Sequence, residues 1–497
     1  MKNSAPRLPE KPDEQPRMST TKFLAAIFAG LLILCGVAAI WHPDQELGDK
    51  VPLVWVSDNN PARTAQIAAF NAENPDLSLR LDFGNGGTQK IILQSSSGVG
   101  PDIFDFGSAD IETFVESGVL WDVTDASVTM GFSALKDGWP EGAQTYTYNS
   151  RQYGFPCNTG AAILIYNKNV FDYFGVPYPQ GLMTWKEFID MAKKVNSQTS
   201  PKIGDDSRIF AVTGAIWQQF FTGQHGEFFD PDGQLTIAES PELYRAFEMH
   251  REFLFTHQFM PSTIEAKAMS GQGGWGSGNL NQFAAGRFAM AITGHWALIA
   301  FGQAYQQQLD ELTRNGLKEE DIKDPLKKPL RLGAVLIPKF SKLPPSYQVQ
   351  SRVAGINAKS PRREEALKFL QYLAGPTYSE LLNAGEDWLP GNPEYSELGV
   401  DPGPPALSRQ ELQDRTVEAM SYGYSPRQSP FLLTSDVFRV IGNQISRLES
   451  TPDISTQALL DAAQSDLQTL MRRTLERNPN LESLFIERFG KPAYQNL

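Results

Sequence analysis

Gly286-Arg-Phe-Ala-Met-Ala-Ile-Thr-Gly-His-Trp296 is the stretch on which the reading of this chain turns. Phe288 to Ile292 is an apolar run of strand length. A glycine turn closes it and delivers a large aromatic. A strand end that opens into a turn is where α/β proteins place groups that touch a ligand. An indole there offers a flat apolar face and one N–H donor, a combination suited to the face of a sugar ring. An ordinary core aromatic is the other reading of Trp296, since most buried aromatics only pack. Downstream, Val353-Ala-Gly-Ile-Asn-Ala-Lys-Ser360 reads as a short strand leading into a helix start at Ser360-Pro-Arg-Arg-Glu-Glu365.

Outward from these two stretches the chain alternates strands and helices. Pro52 to Val56 is a buried-strand run. Asn60-Pro61 is a helix start, with Ile67 and Phe70 on its apolar face. Leu77, Leu79, Leu81 and Phe83 alternate with polar residues as a second strand. Gly100-Pro-Asp-Ile-Phe-Asp-Phe106 is a third. Ala161 to Tyr166 reads as one strand. Thr184-Trp-Lys-Glu187 is a capping box, and Leu332 to Ile337 a further strand. Residues 389–405 are rich in Pro and Gly and read as a loop, followed by helices over 437–448 and 456–473. The alternation predicts α/β lobes with mainly parallel sheets.

Length and charge narrow the function. At 497 residues the chain can hold two or three domains of about 150 residues each. Its formal net charge is -13, and residues 1–22 carry five Lys/Arg against three Asp/Glu, so the rest carries -15. That argues against nucleic-acid binding, which needs a basic surface. Cys35 and Cys157 are the only cysteines, and the globular part therefore has no internal disulfide. Phe23 to Ile40 is an 18-residue run without charge, preceded by Arg17 and Lys22. It predicts a secretory signal or a transmembrane anchor, with a polar cytoplasmic tail over 1–22 and the bulk of the chain outside. Leu32-Ile-Leu-Cys-Gly36 departs from a lipoprotein box, because Leu34 rather than a small residue precedes Cys35.

Motifs for catalysis are weak. Ser133-Ala-Leu-Lys136 and Ser57-Asp-Asn59 match two motifs of penicillin-interacting enzymes, but in reversed order and without a third. His250 and His257 lack the acidic or thiol set that would complete a metal site. The glycine clusters at 84–87 and 271–278 have neither phosphate-loop nor dinucleotide spacing. Asp102 and Asp105 lie three apart on one strand and face opposite sides, so a glycosidase pair would need another element. No catalytic residue, metal or cofactor is assigned. Aromatics are more telling: Phe106, Trp217 and Trp296 sit beside Gly or polar residues, the pattern of an aromatic-lined cleft.

Eight segments, in order from about 50 to 385, resemble the bacterial extracellular solute-binding proteins of family 1, the maltose-binding-protein-like receptors of ABC importers. They are Ile67 to Pro75, Gly100 to Phe104, Gly118 to Val123, Tyr153 to Pro156, Leu164 to Lys168, Thr184 to Phe188, Gly286 to Trp296, and Ala354 to Ala358. The resemblance implies a two-lobe periplasmic-binding-protein fold (type II) behind the N-terminal hydrophobic helix of 23–41. Lobe one would comprise 50–155 and 338–375, and lobe two 156–337 and 376–497. Crossings would fall near Gly154–Pro156, Ile337–Pro345 and Pro376. It implies a non-enzymatic monomer in the periplasm, free or tethered to the inner membrane by 23–41, that captures a sugar by closing its lobes and delivers it to ABC permease subunits. Ser57, Asp58, Asp105, Phe106, Asn158, Thr159 and Trp296 fall at the family's ligand-contacting positions, and Trp217 joins them from the aromatic pattern. Gly160 stands where maltose-type receptors carry a carboxylate. A glycoside-processing hydrolase and a membrane-tethered ligand sensor are the alternatives.

Overall fold

The computed structural model describes residues 49–197, 208–269, 278–385 and 387–492. Contacts divide the chain into residues 1–51 and 52–497, and the second unit holds the fold described below. The polar tail and the apolar run of 23–41 lie outside the described residues. Among the described residues, no helix is long and apolar enough to cross a membrane.

Two sheets organise this unit. The first contains β1 (Val51–Val56), β2 (Leu77–Asp82), β3 (Ile103–Gly107) and β4 (Phe155–Ala161). The second is built from β5 (Ile163–Asn167), β6 (Phe210–Thr213), β7 (Phe288–Thr293) and β8 (Leu332–Val335). The chain then returns to the first sheet with the ten-residue β9 (Tyr347–Ile356) and the short β10 (Gly423–Tyr424). The first sheet runs β10-β9-β3-β1-β2, with β4 also on β9, and the second runs β8-β5-β7-β6. Parallel pairs join β1 to β3, β6 to β7 and β9 to β10. Antiparallel pairs join β9 to β3 and β4, and β5 to β7 and β8. The sheets are thus mixed rather than mainly parallel: β9 re-enters the first sheet from the second and runs against β3 and β4, and β5 runs against β7 and β8 in the second.

The run expected to be one strand over Ala161–Tyr166 is two. Ala161 pairs with Val349 in the first sheet, and Ile163 pairs with Thr293 in the second. Both strands are buried throughout, and the run Ala161–Tyr166 is apolar on either side of Ala162, so hydrophobicity alone gives no sign of the step between sheets there.

Helices cover the sheets by burying one face each. In α1 (Ala62–Glu73), the Asn60 side chain accepts from the Ala62 N–H at 3.0 Å, and Phe70 is buried. Phe70 and Trp55 pack on Phe369, which lies beyond β9 in sequence, at 5.5 and 4.8 Å. The predicted capping box opens α2 (Trp185–Ala192): the Glu187 carboxylate accepts from the Thr184 N–H at 2.7 Å, and the Thr184 hydroxyl from the Glu187 N–H at 3.3 Å. Trp185 meets Phe220 of α3 (Ile216–Thr222) at 4.5 Å. Each such fully buried ring contributes roughly 1.5–3 kcal/mol. α4 (Arg363–Leu373) follows β9. Beyond the Pro/Gly-rich segment, α5 (Thr434–Ser450) and α6 (Thr456–Arg477) bury Val437, Ile441 and Leu448 with Leu459, Leu460 and Leu467.

Candidate functional site

The carboxyl ends of β1 and β3, the middle of β4 and the first half of β9 converge with segments after β6 and β7 on one cavity of about 690 Å³, within the range of small-ligand sites. β1 ends into Ser57 and Asp58, and β3 into Ser108 and Asp110. α3, after β6, brings Gln218, and the turn after β7 brings Trp296. β9 contributes Gln348, Gln350, Ser351 and Arg352, and β4 contributes Asn158. Asp387, Trp388, Ser435 and Phe438 complete the wall. Both sheets therefore present groups to the same space.

A network of ions lies at its floor. The Arg352 guanidinium donates to Asp105 Oδ2 at 2.7 Å, Ser57 Oγ at 2.8 Å and Asp387 Oδ2 at 3.3 Å. The Arg63 guanidinium donates to Asp387 Oδ2 at 2.7 Å, Asp58 Oδ1 at 2.9 Å and Gln66 Oε1 at 2.9 Å. Trp55 Nε1 and Ser57 Oγ donate to Asp105, at 2.6 and 2.5 Å, and Asn158 Nδ2 donates to Asp387 Oδ1 at 3.1 Å. Burial alone would raise the pKa of Asp58, but Arg352 and Arg63 outweigh it and hold the carboxyl below its usual range. Burial opposes the charge of Arg352 too, and Asp105, Asp387 and Asp58 overcome it, so the guanidinium stays ionised. Asp110 differs. Its carboxylate accepts from the Ser435 N–H at 3.2 Å, and burial pushes its pKa up to about 6.

Two indoles form the apolar wall. Trp388 is 8% exposed and holds φ +71°, a left-handed conformation costly for a bulky residue. Its ring lies over Gly160 and Gly294, and the Trp296 ring lies over Gly294 as well. A Cβ at Gly294 would sit 2.5 Å from Trp296 Cδ1. Trp388 Nε1 is buried without a hydrogen-bond partner among the described residues.

Of the residues singled out from sequence, Asp58, Asn158 and Trp296 line the cavity. Ser57 and Asp105 lie in the ion network at its floor. Thr159 is buried one position along. Its N–H donates to Leu389 O at 2.9 Å and its hydroxyl meets Ser351 Oγ at 2.8 Å, which ties β4 to the segment carrying Trp388. Phe106 packs on Phe114 at 5.3 Å and is outside the cavity lining. Trp217 is buried against Phe438 at 6.0 Å, next to the lining Gln218. Asp102 and Asp105 do diverge: Asp102 accepts from the Val54 N–H at 3.0 Å and Ser360 Oγ at 2.6 Å. Cys157 is buried, and its thiol lies 3.5 Å from Asp105 Oδ1. Sequence reasoning passed over Arg63, Asp110, Arg352, Asp387 and Trp388. The acid–aromatic pair Asp387-Trp388 before Pro390-Gly391 was the one local signal.

Comparison with known proteins agrees with this geometry. The family model for bacterial extracellular solute-binding proteins matches residues 57–380. Diacetylchitobiose binding protein DasA of Streptomyces coelicolor is 22% identical over 418 residues, covering 77% of this chain and 92% of DasA. The ABC substrate-binding protein Lmo0181 of Listeria monocytogenes, solved with cycloalternan, superposes with a TM-score of 0.68 at 20% identity, over 85% of this chain and 99% of Lmo0181. The sugar-binding protein MalE of Xanthomonas citri superposes with a TM-score of 0.66 at 14% identity, over 85% of this chain and 98% of that one. The fold is the two-lobe type II periplasmic-binding-protein fold. Asp387, Trp388, α5 and α6 lie beyond the matched residues. The chain belongs to the bacterial extracellular solute-binding proteins, extracytoplasmic receptors that bind a ligand rather than turn it over.

Proposed function

We propose that this chain captures a carbohydrate in the cavity between its two sheets and hands it to the permease of an ABC importer. The observation that carries this reading is the pairing of two indoles, Trp296 and Trp388, with Asn158, Gln218, Gln350 and Asp387 around one space. Indole faces cover the C–H surface of a pyranose, while amides and carboxylates take its hydroxyls. The relatives named above support the ligand class by their own ligands, diacetylchitobiose and cycloalternan.

The lobes of this reading are the two sheets with their helices. Their connections at Ala162 and between Val335 and Tyr347 act as the hinge. Residues 23–41 serve as a signal or as an inner-membrane anchor, and the receptor acts as a monomer without catalytic residues. Thermal-shift screening against mono- and oligosaccharides, followed by calorimetry, tests it. A saturable, micromolar sugar without product formation, about -8 kcal/mol, is expected. Turnover of a bound oligosaccharide would replace the receptor with a hydrolase, in which Asp110, whose pKa is about 6, is the candidate acid.

A further inference from the structure

The charges around the cavity are unequal in number and already matched to one another. Asp58, Asp110 and Asp387 line it, with Asp105 behind, against Arg352 in the lining and Arg63 behind. Carboxylates outnumber guanidiniums four to two, and three to two even with Asp110 protonated. Both terminal nitrogens of Arg352 are engaged, Nη1 by Asp105 and Nη2 by Asp387. Those of Arg63 face Gln66 and Asp387, and its Nε faces Asp58. Arg352 is thus the lone cation in the lining among the described residues, and its charge is neutralised before any ligand arrives.

An anionic ligand would enter a space whose net charge repels it, and would have to displace a carboxylate to reach a guanidinium. Like charges brought together in a partly dry site cost about a hundredfold or more in affinity. A hydroxyl or an ammonium meets the opposite situation. Carboxylate oxygens keep acceptor capacity beyond the bonds they already make, and charge-assisted bonds from O–H or N–H donors are the strong ones.

We propose that the cavity selects neutral or amine-bearing sugars and rejects anionic ones, uronic acids and sugar phosphates alike. Asp58 and Asp387 are the specificity-determining residues, because they occupy the guanidiniums that an anion would need. The inference rests on the carbohydrate reading above and narrows it to a charge class.

The test is a panel of glucose, galactose and mannose with their disaccharides. Each is presented in neutral form and as the 2-amino, 6-carboxylate and 6-phosphate counterpart. Binding is screened by thermal shift and measured by calorimetry on the full chain. Hits confined to neutral or amino members, with the matched acid at least about a hundredfold weaker, are expected. A uronate or phosphate that binds as tightly as its neutral parent, or acids as the only hits, overturns the charge rule and leaves the carbohydrate reading standing. No hit at all overturns both. Asp58→Asn, which keeps an oxygen for Arg63 at a partly exposed position, and Asp387→Asn should each narrow the neutral-to-acid ratio at least about tenfold. An unchanged ratio in a folded Asp58→Asn protein removes these residues from the specificity.

Discussion

A Cβ placed on Gly160 would sit 2.3 Å from Nε1 of Trp388. The contact fixes two positions at once. β4 passes beneath the indole so closely that only glycine fits, and the indole reaches it from a residue held at φ +71°. Strain of this kind persists only where surrounding structure over-determines it. The hydrogen bonds between Thr159 and Leu389 flank Trp388 and supply that support.

Gly160→Ala should therefore push Trp388 off its seat. Overpacking of this size costs about 1–3 kcal/mol, and sugar affinity should fall at least about tenfold with it. Thermal denaturation and calorimetry on the same preparation read both. Retained affinity would place Trp388 outside the ligand contacts.

Arg63 is fully buried and bonds Asp58 and Asp387, the second 324 positions away in sequence. Arg63→Met leaves those carboxylates short of a cation, and removing one partner of a buried pair costs about 3–5 kcal/mol. Urea unfolding at neutral pH measures it. A loss below about 1 kcal/mol would mean that Arg352 alone holds the network together.

Asp110 makes a pH-dependent prediction. Its folded pKa, about 6, lies above the unfolded value of 3.8, so the folded chain holds this proton more tightly. Its contribution is fully present below about pH 4 and is lost as pH rises through 6. Asp110→Asn keeps an oxygen for the Ser435 N–H but cannot ionise. The variant should match the parent near pH 4 and gain on it up to roughly 2–3 kcal/mol above pH 6. Stability curves from pH 4 to 8 check the sign, and a gap that shrinks as pH rises contradicts it.

Ligand touching groups from both sheets should favour a closed arrangement of the lobes. Small-angle scattering should give a smaller radius of gyration at saturating sugar than without it. An unchanged radius speaks against hinge closure.

The sequence carried the strands more openly than the site. Pro52 to Val56 and Phe288 to Ile292 read as apolar runs, within the observed strands Val51–Val56 and Phe288–Thr293, and Thr184 to Glu187 as a capping box. The step at Ala162 has no such mark, because β4 and β5 are buried on both sides of it. Asp58 and Trp296, which line the cavity, are conspicuous in sequence because they follow strand ends. Arg63 looks like any charged residue on a helix until Asp387 arrives beside it. Arg352 sits in a strand where alternation predicts a solvent-facing charge, and its partners come from the end of β1 and from β3, 295 and 247 positions away, and from a loop 35 positions on. Trp388 lay at the edge of a segment read only as a loop. Long-range pairing of charge has no local signature, whereas strand ends and caps do.

The central claim is that sugar binds against the indoles of this cavity, and Trp296→Ala tests it most directly. Trp296 is only partly buried, so the change should leave the melting temperature nearly intact. A stacked ring contributes about 0.5–1.5 kcal/mol beyond its area, and its full removal more. Calorimetry should show affinity at least about tenfold weaker, since 1.4 kcal/mol is a factor of ten. Unchanged affinity with a collapsed melting temperature would make Trp296 a packing residue and place the sugar elsewhere.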